Sequence, residues 1–411
     1  MAKTTRLGRS PAAASGAILV INCGSSSVKF ALFAVGGMPQ RVWAGAIERI
    51  GLANGRLRAI DADGATVLDE TGDIADDAAA LKLLLDAIER HPSGAYLTAV
   101  DHQVVHGGSE CDCPVLVTAA LEARLRQLVP LAPLHQPHDL TGIAAVRGAR
   151  PGLPQVACFD TAFHHSLPRL AMLMALPREL SNEGVRRYGF HGLSYEYVAD
   201  ALRRDGVDVD RERIVVAHLG NGASMCALVG GQSIENTMGF SMLAGLPMGT
   251  RCGDLDPGII LYLLAEKGMT VERLQHLLYE QSGLLGLSGV SRNMQGLLAR
   301  PGEPAGVEAV EFFCCQARRH LVALTAVLGG LERVVFTGGI GANAPAVWAR
   351  ICAGLAHLGI ALDAERNTGG ARTISAKASR VLVEAFPTDD EMMIARHVRD
   401  VLAAKPAAQG A

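Results

Sequence analysis

Aromatic side chains are scarce in this sequence: Phe, Trp and Tyr supply 4% of its 411 residues, against 49% for hydrophobic residues as a whole. A core of that make-up rests on Ala, Val, Leu and Ile, the usual mix of α/β proteins, and the length suffices for about two or three domains. Long hydrophobic runs are missing too. The longest, such as LVALTAVLGGL, falls short of the ~18 apolar residues of a membrane span, so no membrane partner is expected. No sign of charge dominates: 38 Lys and Arg face 41 Asp and Glu for a net charge of −3. That offers no broad basic surface to a nucleic acid. The nine cysteines lack zinc-site spacing. Cys111 and Cys113 form a C-x-C and Cys314 and Cys315 are adjacent, with no second pair for either. The first seventeen residues carry Lys3, Arg6 and Arg9 and no apolar segment, so they read as a disordered tail rather than an export signal. The cysteines then read as reduced thiols of a cytoplasmic protein. Two nucleotide fingerprints are also missing. No G-x-x-x-x-G-K-[ST] occurs, and GIGANA is one glycine short of the dinucleotide motif.

What is present is an alternation of strand and helix patterns. AILVIN, AVDHQVV and PQVACFD read as strands, the last ending on Asp160. LKLLLDAIER places Leu81, Leu84, Leu85 and Ile88 on one helical face. A long helix from Val307 stops at Gly329 and Gly330, a plausible C-cap. The C-terminal PTDDEMMIAR starts another, with Thr388 as expected N-cap and Glu391 three residues on. Two stretches resemble each other: ILVINCGSSS from Ile18 and IVVAHLGNGAS from Ile214 align Gly24 with Gly220 and Ser25 with Asn221. Each is a buried strand delivering a small-residue turn, and TGGIGAN at 337–343 is a third. Such turns expose backbone N–H groups suited to phosphate oxygens. The pattern suggests a duplicated α/β unit, two lobes facing one cleft and one polyanionic ligand.

Four segments offer chemistry. Asp160 at a strand end can orient a nucleophile or a metal-bound water, or merely cap a turn. His191, between Gly189 and Gly192, can approach a ligand closely and donate to charge developing on a phosphoryl group, or serve structure alone. Arg251, on the glycine-rich MGTRCGDLDP loop, suits bidentate capture of a carboxylate or phosphoryl group, with Asp254 and Asp256 near enough in sequence to hold it. Asp389, Asp390 and Glu391 offset a helix dipole, or reach a magnesium ion through water.

Taken together and in order, VINCGSSSVKF, VVHGG, LAPLH, FDTAFH, RRYGFHG, HLGNGAS, MGTRCGDLDP, SGLLGLSG, FTGGIGAN and PTDDEMMIAR resemble the acetate kinase family, which includes propionate and butyrate kinases. The resemblance runs from about residue 18 to about residue 396. It implies the α/β fold of the acetate and sugar kinase, Hsp70 and actin superfamily: two lobes of duplicated ribonuclease-H-like topology around a central cleft. Lobe I would comprise 18–160 and 388–403, lobe II 161–387. The implied reaction is reversible, ATP plus a short carboxylate giving ADP plus an acyl phosphate by direct in-line transfer. Mg²⁺ or Mn²⁺ assists, and the protein is a homodimer. By position, Asp160, His191 and Arg251 are implied as catalytic. Asn22 and Asp390 stand at the metal, the latter where the family usually has a glutamate. Val105, Leu134, Phe190 and Met242 line the acid's apolar pocket, with Gln103 beside its carboxylate. Lys29, His218, Gly220, Asn221 and Gly222 meet the phosphates. Asn293, Met294, Gln295, Gly339, Ile340, Gly341, Ala342 and Asn343 lie at the nucleoside.

The departures are specific. Gln103 stands where the family has an arginine; losing one charge-assisted contact costs roughly 2–4 kcal/mol of transition-state binding, some 10²- to 10³-fold in rate. Asn293 and Gln295 replace an aspartate and an arginine, and Ala342 replaces a glutamate, so the nucleoside end has lost charge in three places. Met242 replaces a proline, and Leu193 and Tyr195 follow His191 where smaller or polar residues are usual. Three readings stay open: an active acyl kinase, a weakened member acting as a ligand-binding or regulatory protein, and a kinase with a different acid or phosphoryl donor.

Overall fold

The computed structural model describes residues 16–24, 26–91 and 96–404. Residues 1–15 of the expected tail, and Ser25 of the expected repeat, lie outside the described residues. Gly16 and Ala17 do not belong to a tail. They open the first strand, where Ala17 pairs with Ala34 and with Leu97 and is 1% exposed. Their small side chains hide this from a hydrophobicity reading.

The chain divides into two compact units, one comprising residues up to Phe159 together with Glu391 onward, the other Asp160–Asp390. Unit 1 holds strands β1 (Gly16–Cys23), β2 (Ser27–Ala34), β3 (Gln40–Glu48), β4 (Gly55–Asp61), β5 (Thr66–Gly72), β6 (Tyr96–Val104), β7 (Val115–Leu116) and β8 (Gln155–Phe159). They form one sheet in the order β5-β4-β3-β2-β1-β6-β8-β7. β1 lies antiparallel to β2 and parallel to β6, which is parallel to β8. The helix Asp77–Arg90 starts where the Asp76 carboxylate accepts the Ala79 N–H at 2.8 Å. Its buried Leu81, Leu84, Leu85 and Ile88 join Leu19, Ile21, Phe30, Leu32 and Trp43 in one core. Buried on both faces, β1 is apolar almost throughout.

Unit 2 holds β9 (Ile214–Leu219), β10 (Ala223–Val229), β11 (Gln232–Asn236), β12 (Arg333–Thr337) and β13 (Leu382–Ala385), in the order β11-β10-β9-β12-β13. β9 is antiparallel to β10 and parallel to β12, which is parallel to β13. Set beside β3-β2-β1-β6-β8, this is the same order with the same directions, so the duplicated ribonuclease-H-like topology is visible strand by strand. Tyr195, Val198 and Leu202 of the helix Gly192–Arg204 pack with Ile214, Val216, Cys226 and Val335 of the sheet. The long helix Pro304–Leu328 ends on Gly329 in the left-handed region at φ 67°, a conformation that glycine adopts without strain. The last helix spans Asp390–Ala403. It begins on Asp390, and the Thr388 hydroxyl donates to the Asp390 carboxylate at 2.6 Å.

Candidate active site

Unit 2 gathers most of the residues singled out above. β9 turns into β10 through Gly220, Asn221 and Gly222, closed by a Gly220 N–H to Gly222 carbonyl bond of 2.9 Å. Two other turns meet this one. Gly249 of the MGTR segment donates its N–H to the Asn221 carbonyl at 3.1 Å, and a Cβ on Gly249 would collide with the Asn221 side-chain oxygen. A Cβ on Gly338, where φ is +79°, would stand 2.8 Å from the Leu219 carbonyl. Glycine is needed at Gly338 because main chain approaches main chain there at positive φ, whereas at Gly249 the space is taken by the Asn221 side chain.

His191 opens the helix Gly192–Arg204 with a left-handed backbone, φ 60° and ψ 27°. This is an uncommon conformation for a residue with a side chain. Its neighbours hold it there. The Gly192 N–H donates to the Asp160 carbonyl at 2.8 Å, and the buried His164 ring bonds the Phe190 carbonyl at 2.9 Å. The imidazole stacks on His218 at 4.2 Å between centroids and 16° between planes, and its Nδ1 lies 2.8 Å from Ser224 Oγ. Burial, then His218 and Arg251, hold the His191 ring well below the ordinary imidazole range, and burial pushes His218 down to about 4. Both rings are neutral at pH 7.

Arg251 donates to the Met242 carbonyl at 3.3 Å and lies 3.4 Å from the Met248 sulfur. Asp254 and Asp256 do not hold it, contrary to the sequence reading. Asp254 accepts from the Gly245 N–H at 2.7 Å and pairs with His320, while Asp256 accepts from Gly258 and starts the helix Pro257–Ala265. Three residues of separation suggests proximity, but the turn at Gly253, φ +73°, aims these carboxylates elsewhere. Among the described residues no acidic side chain pairs with Arg251, and burial lowers its affinity for its proton. A Cβ on Gly222 would stand 3.1 Å from His191 Nε2 and 3.7 Å from an Arg251 guanidinium nitrogen. Imidazole and guanidinium thus flank one bare stretch of backbone. A buried cation with no counter-ion is costly unless an anion arrives.

Asp160 is 9% exposed at the entrance to unit 2. The Asp390 carboxylate accepts from Ser194 Oγ at 2.8 Å, and burial raises its proton affinity. Among the described residues no group of three or more His, Cys, Asp or Glu can hold a metal unaided. A magnesium ion arriving with phosphates needs only one or two protein carboxylates, and the Asp390 carboxylate is a donor of that chemistry. A nearby cation would also restore the charge that burial opposes on Asp390.

A cavity of about 750 Å³ adjoins the turns, lined by Gly220, Asn221, Asn293, Met294, Gln295, Gly339, Ile340 and Asn343. Asn343 donates to the Gly339 carbonyl at 3.0 Å, and the Asn293 side chain accepts the Gln295 N–H at 2.9 Å, starting the helix Met294–Leu298. Of the nucleotide residues expected in this unit, His218, Gly222, Gly341 and Ala342 do not line the cavity. Arg292 does, was missed by the sequence reading, and is the charged residue among the lining ones. Its signal was its place beside Asn293 in SRNMQGL. Of the expected acid pocket, Phe190 and Met242 are buried next to His191 and Arg251.

In unit 1 three expected residues form a row across β2, β1 and β6. Asn22 faces Lys29 in the register, and its amide donates to Gln103 Oε1 at 2.7 Å. Val105 and Leu134 are partly buried, and the Val105 N–H donates to Asp139 at 3.2 Å.

Known proteins match this arrangement over nearly the whole chain. The model of the acetokinase family matches residues 17–396. An acetate kinase of Rhodopseudomonas palustris is 50% identical over 393 residues, covering 93% of this chain and 98% of that one. The crystal structure of the Porphyromonas gingivalis acetate kinase is 34% identical with a TM-score of 0.86, covering 94% and 100% of the two chains. That of a Francisella tularensis propionate kinase is 35% identical with a TM-score of 0.87, covering 93% and 98%. With identity this high and both units covered, the chain belongs to the acetokinase family, the carboxylate phosphotransferases.

Proposed function

We propose that the protein transfers the γ-phosphoryl group of ATP in line to the carboxylate of acetate or a related short-chain acid, reversibly. A carboxylate oxygen bonds to the γ-phosphorus as the bond to the leaving ADP oxygen breaks. Such a transfer needs positioning and charge neutralisation more than covalent help. Arg251, half-buried without an acidic partner among the described residues, carries this reading, since it provides a fixed cation for the carboxylate and the transferring group. His191 Nε2 stands beside it as a second donor. The turns at Gly220–Gly222 and Gly338–Gly341 offer N–H groups to the phosphates, and the adjoining cavity takes the nucleoside. Asp160 orients the reacting acid. Mg²⁺ or Mn²⁺, bound with the phosphates and with Asp390 as the metal residue of unit 2, would neutralise phosphate charge. In unit 1, Lys29 serves the phosphates, Gln103 the acid's carboxylate, and Val105 and Leu134 its alkyl end; in unit 2, Phe190 and Met242 serve the alkyl end.

The helix Pro257–Ala265 buries none of its residues and exposes Ile259, Leu261 and Tyr262, which supports a homodimer covering that face. No helix among the described residues is long and apolar enough to cross a membrane. The nine cysteines are all unpaired, which supports a reducing, cytoplasmic setting.

The test is acyl hydroxamate formation from purified protein, ATP, Mg²⁺, hydroxylamine and acetate, propionate or butyrate. Product with one of these acids supports the proposal; none with any of them refutes it. A second reading, a changed donor, is favoured by Arg292 in a cavity whose lining residues include no carboxylate. Equal rates with pyrophosphate or another nucleoside triphosphate in place of ATP would support it.

A further inference from the structure

Ser224 lies in β10 directly opposite His218 of β9, so the wall that carries the stacking ring also carries the hydroxyl that meets His191. Ser224 is fully buried and has one proton to give. Two groups compete for it: His191 Nδ1 at 2.8 Å and the Tyr195 hydroxyl at 2.5 Å. Tyr195 is one turn along the helix that His191 opens, and it is also fully buried.

The direction of the chain of hydrogen bonds follows from the phenol. A buried O–H left without an acceptor is costly, and among the described residues Ser224 Oγ is the hydrogen-bond partner of the Tyr195 hydroxyl. Tyr195 therefore gives its own proton to Ser224. Burial holds the phenol strongly protonated, so that proton is always present. Ser224, receiving from Tyr195, gives its proton to His191 Nδ1. An Nδ1 that accepts leaves the neutral ring's proton on Nε2. Nε2 is the atom that shares Gly222 with the Arg251 guanidinium.

We propose that Tyr195 and Ser224 form a one-way relay that fixes His191 as the neutral tautomer protonated on Nε2, making Ser224 and Tyr195 positioning residues for the phosphoryl site. Two donors, Nε2–H and the guanidinium, then converge on one anionic group before it arrives, and no reorganisation is needed during transfer. In the other tautomer Nε2 would turn a lone pair toward that anion. The groups facing the ring are His218 from β9, Arg251 from its loop and His164 from the turn Ala162–Ser166. None is an acid, and each disfavours a second proton on His191. The inference rests on the phosphotransferase reading for its purpose but not for its geometry.

The test is ¹⁵N NMR of the full chain labelled at histidine, with the His191 signals assigned by their loss in His191→Gln. The expected spectrum at pH 7 shows a protonated Nε2 and a lone-pair Nδ1. A protonated Nδ1, or an even mixture, overturns the proposal whatever the activity. In Ser224→Ala the bias is expected to collapse and kcat to fall about tenfold, with KM for both substrates within about twofold. Tyr195→Phe gives a smaller change in the same direction, and Ser224→Thr restores both tautomer and rate. An unchanged tautomer and kcat in folded Ser224→Ala also overturns it. If the wild type makes no acyl phosphate, the spectrum still decides the tautomer, so the two readings fail separately.

Discussion

In both units a central strand turns back through a short loop into an antiparallel neighbour, β1 into β2 and β9 into β10, and each pair is flanked by two parallel strands in the same order. The chemistry at the two strand ends differs. Beyond β1 stand an ammonium and two amides: Asn22 donates to Gln103 and faces Lys29 in the register, with Asn22 and Lys29 exposed. Beyond β9 stand two stacked neutral imidazoles, a half-buried guanidinium without an acidic partner among the described residues, and a cavity. Topology therefore sets where a turn lies, and the side chains set what the turn can hold. The end of unit 2 presents a guanidinium without an acidic partner among the described residues, whereas the end of unit 1 is polar with Lys29 as its cation.

The contrast can be broken at either end. The largest effect is expected from His191→Ala, which removes one of the two donors beside Gly222. The rate of acyl phosphate formation should fall about 10³-fold, with a cooperative melt retained. A loss below tenfold would show that the imidazole takes no part. Next, Gln103→Arg adds the missing cation to unit 1 and should raise kcat/KM up to about 10²-fold. No gain, or a loss, would show that unit 1 has adapted to the Asn22–Gln103 pair. Gly222→Ala places a methyl 3.1 Å from His191 Nε2 and should lower kcat about tenfold, since the glycine has no positive φ to be strained. An unchanged kcat would mean that the ring moves freely away.

The smallest effect concerns stability and contrasts the buried titratable groups of the two units. Asp101 in β6 is fully buried beside Cys158 and His397, its oxygens have no hydrogen-bond partner among the described residues, and burial pushes it up to about 8. A carboxyl raised in the folded state loses stability as pH rises from the unfolded value of 3.8 towards 8. Asp101→Asn should therefore raise Tm by about 2–4 °C at pH 8 and by less at pH 5. His164 and His218 of unit 2, both pushed down to about 4, work in the opposite sense: their contribution is lost as pH falls from about 6.5 towards 4. A Tm gain that shrinks as pH rises would contradict the Asp101 assignment.

Much of this was legible in the sequence, for reasons of range. The buried face of Asp77–Arg90, the strand into Gly220 and the stop at Gly329 are local patterns, and the structure keeps them. The repeat was legible because each copy must make the same strand and turn. Neighbourhood was misread where it depended on distant segments. Asp254 and Asp256 are close to Arg251 in sequence yet bond elsewhere. Ser224 and Tyr195 carried no signal toward His191, because their meeting depends on how a helix packs on a sheet. Arg292 was passed over, although it sits beside Asn293 in SRNMQGL, because the cavity that it lines is assembled from segments far apart in sequence.

The most direct test of the central claim is ATP formation from MgADP and acetyl phosphate, followed by luciferase, in wild type and Arg251→Gln with melting curves for both. The account predicts that wild type makes ATP. It also predicts that the variant is slowed about 10²- to 10³-fold with a Tm no lower than wild type, because a half-buried charge without a counter-ion has been removed. An equal rate in the variant, or a large drop in Tm with it, would contradict the account and make Arg251 a structural residue.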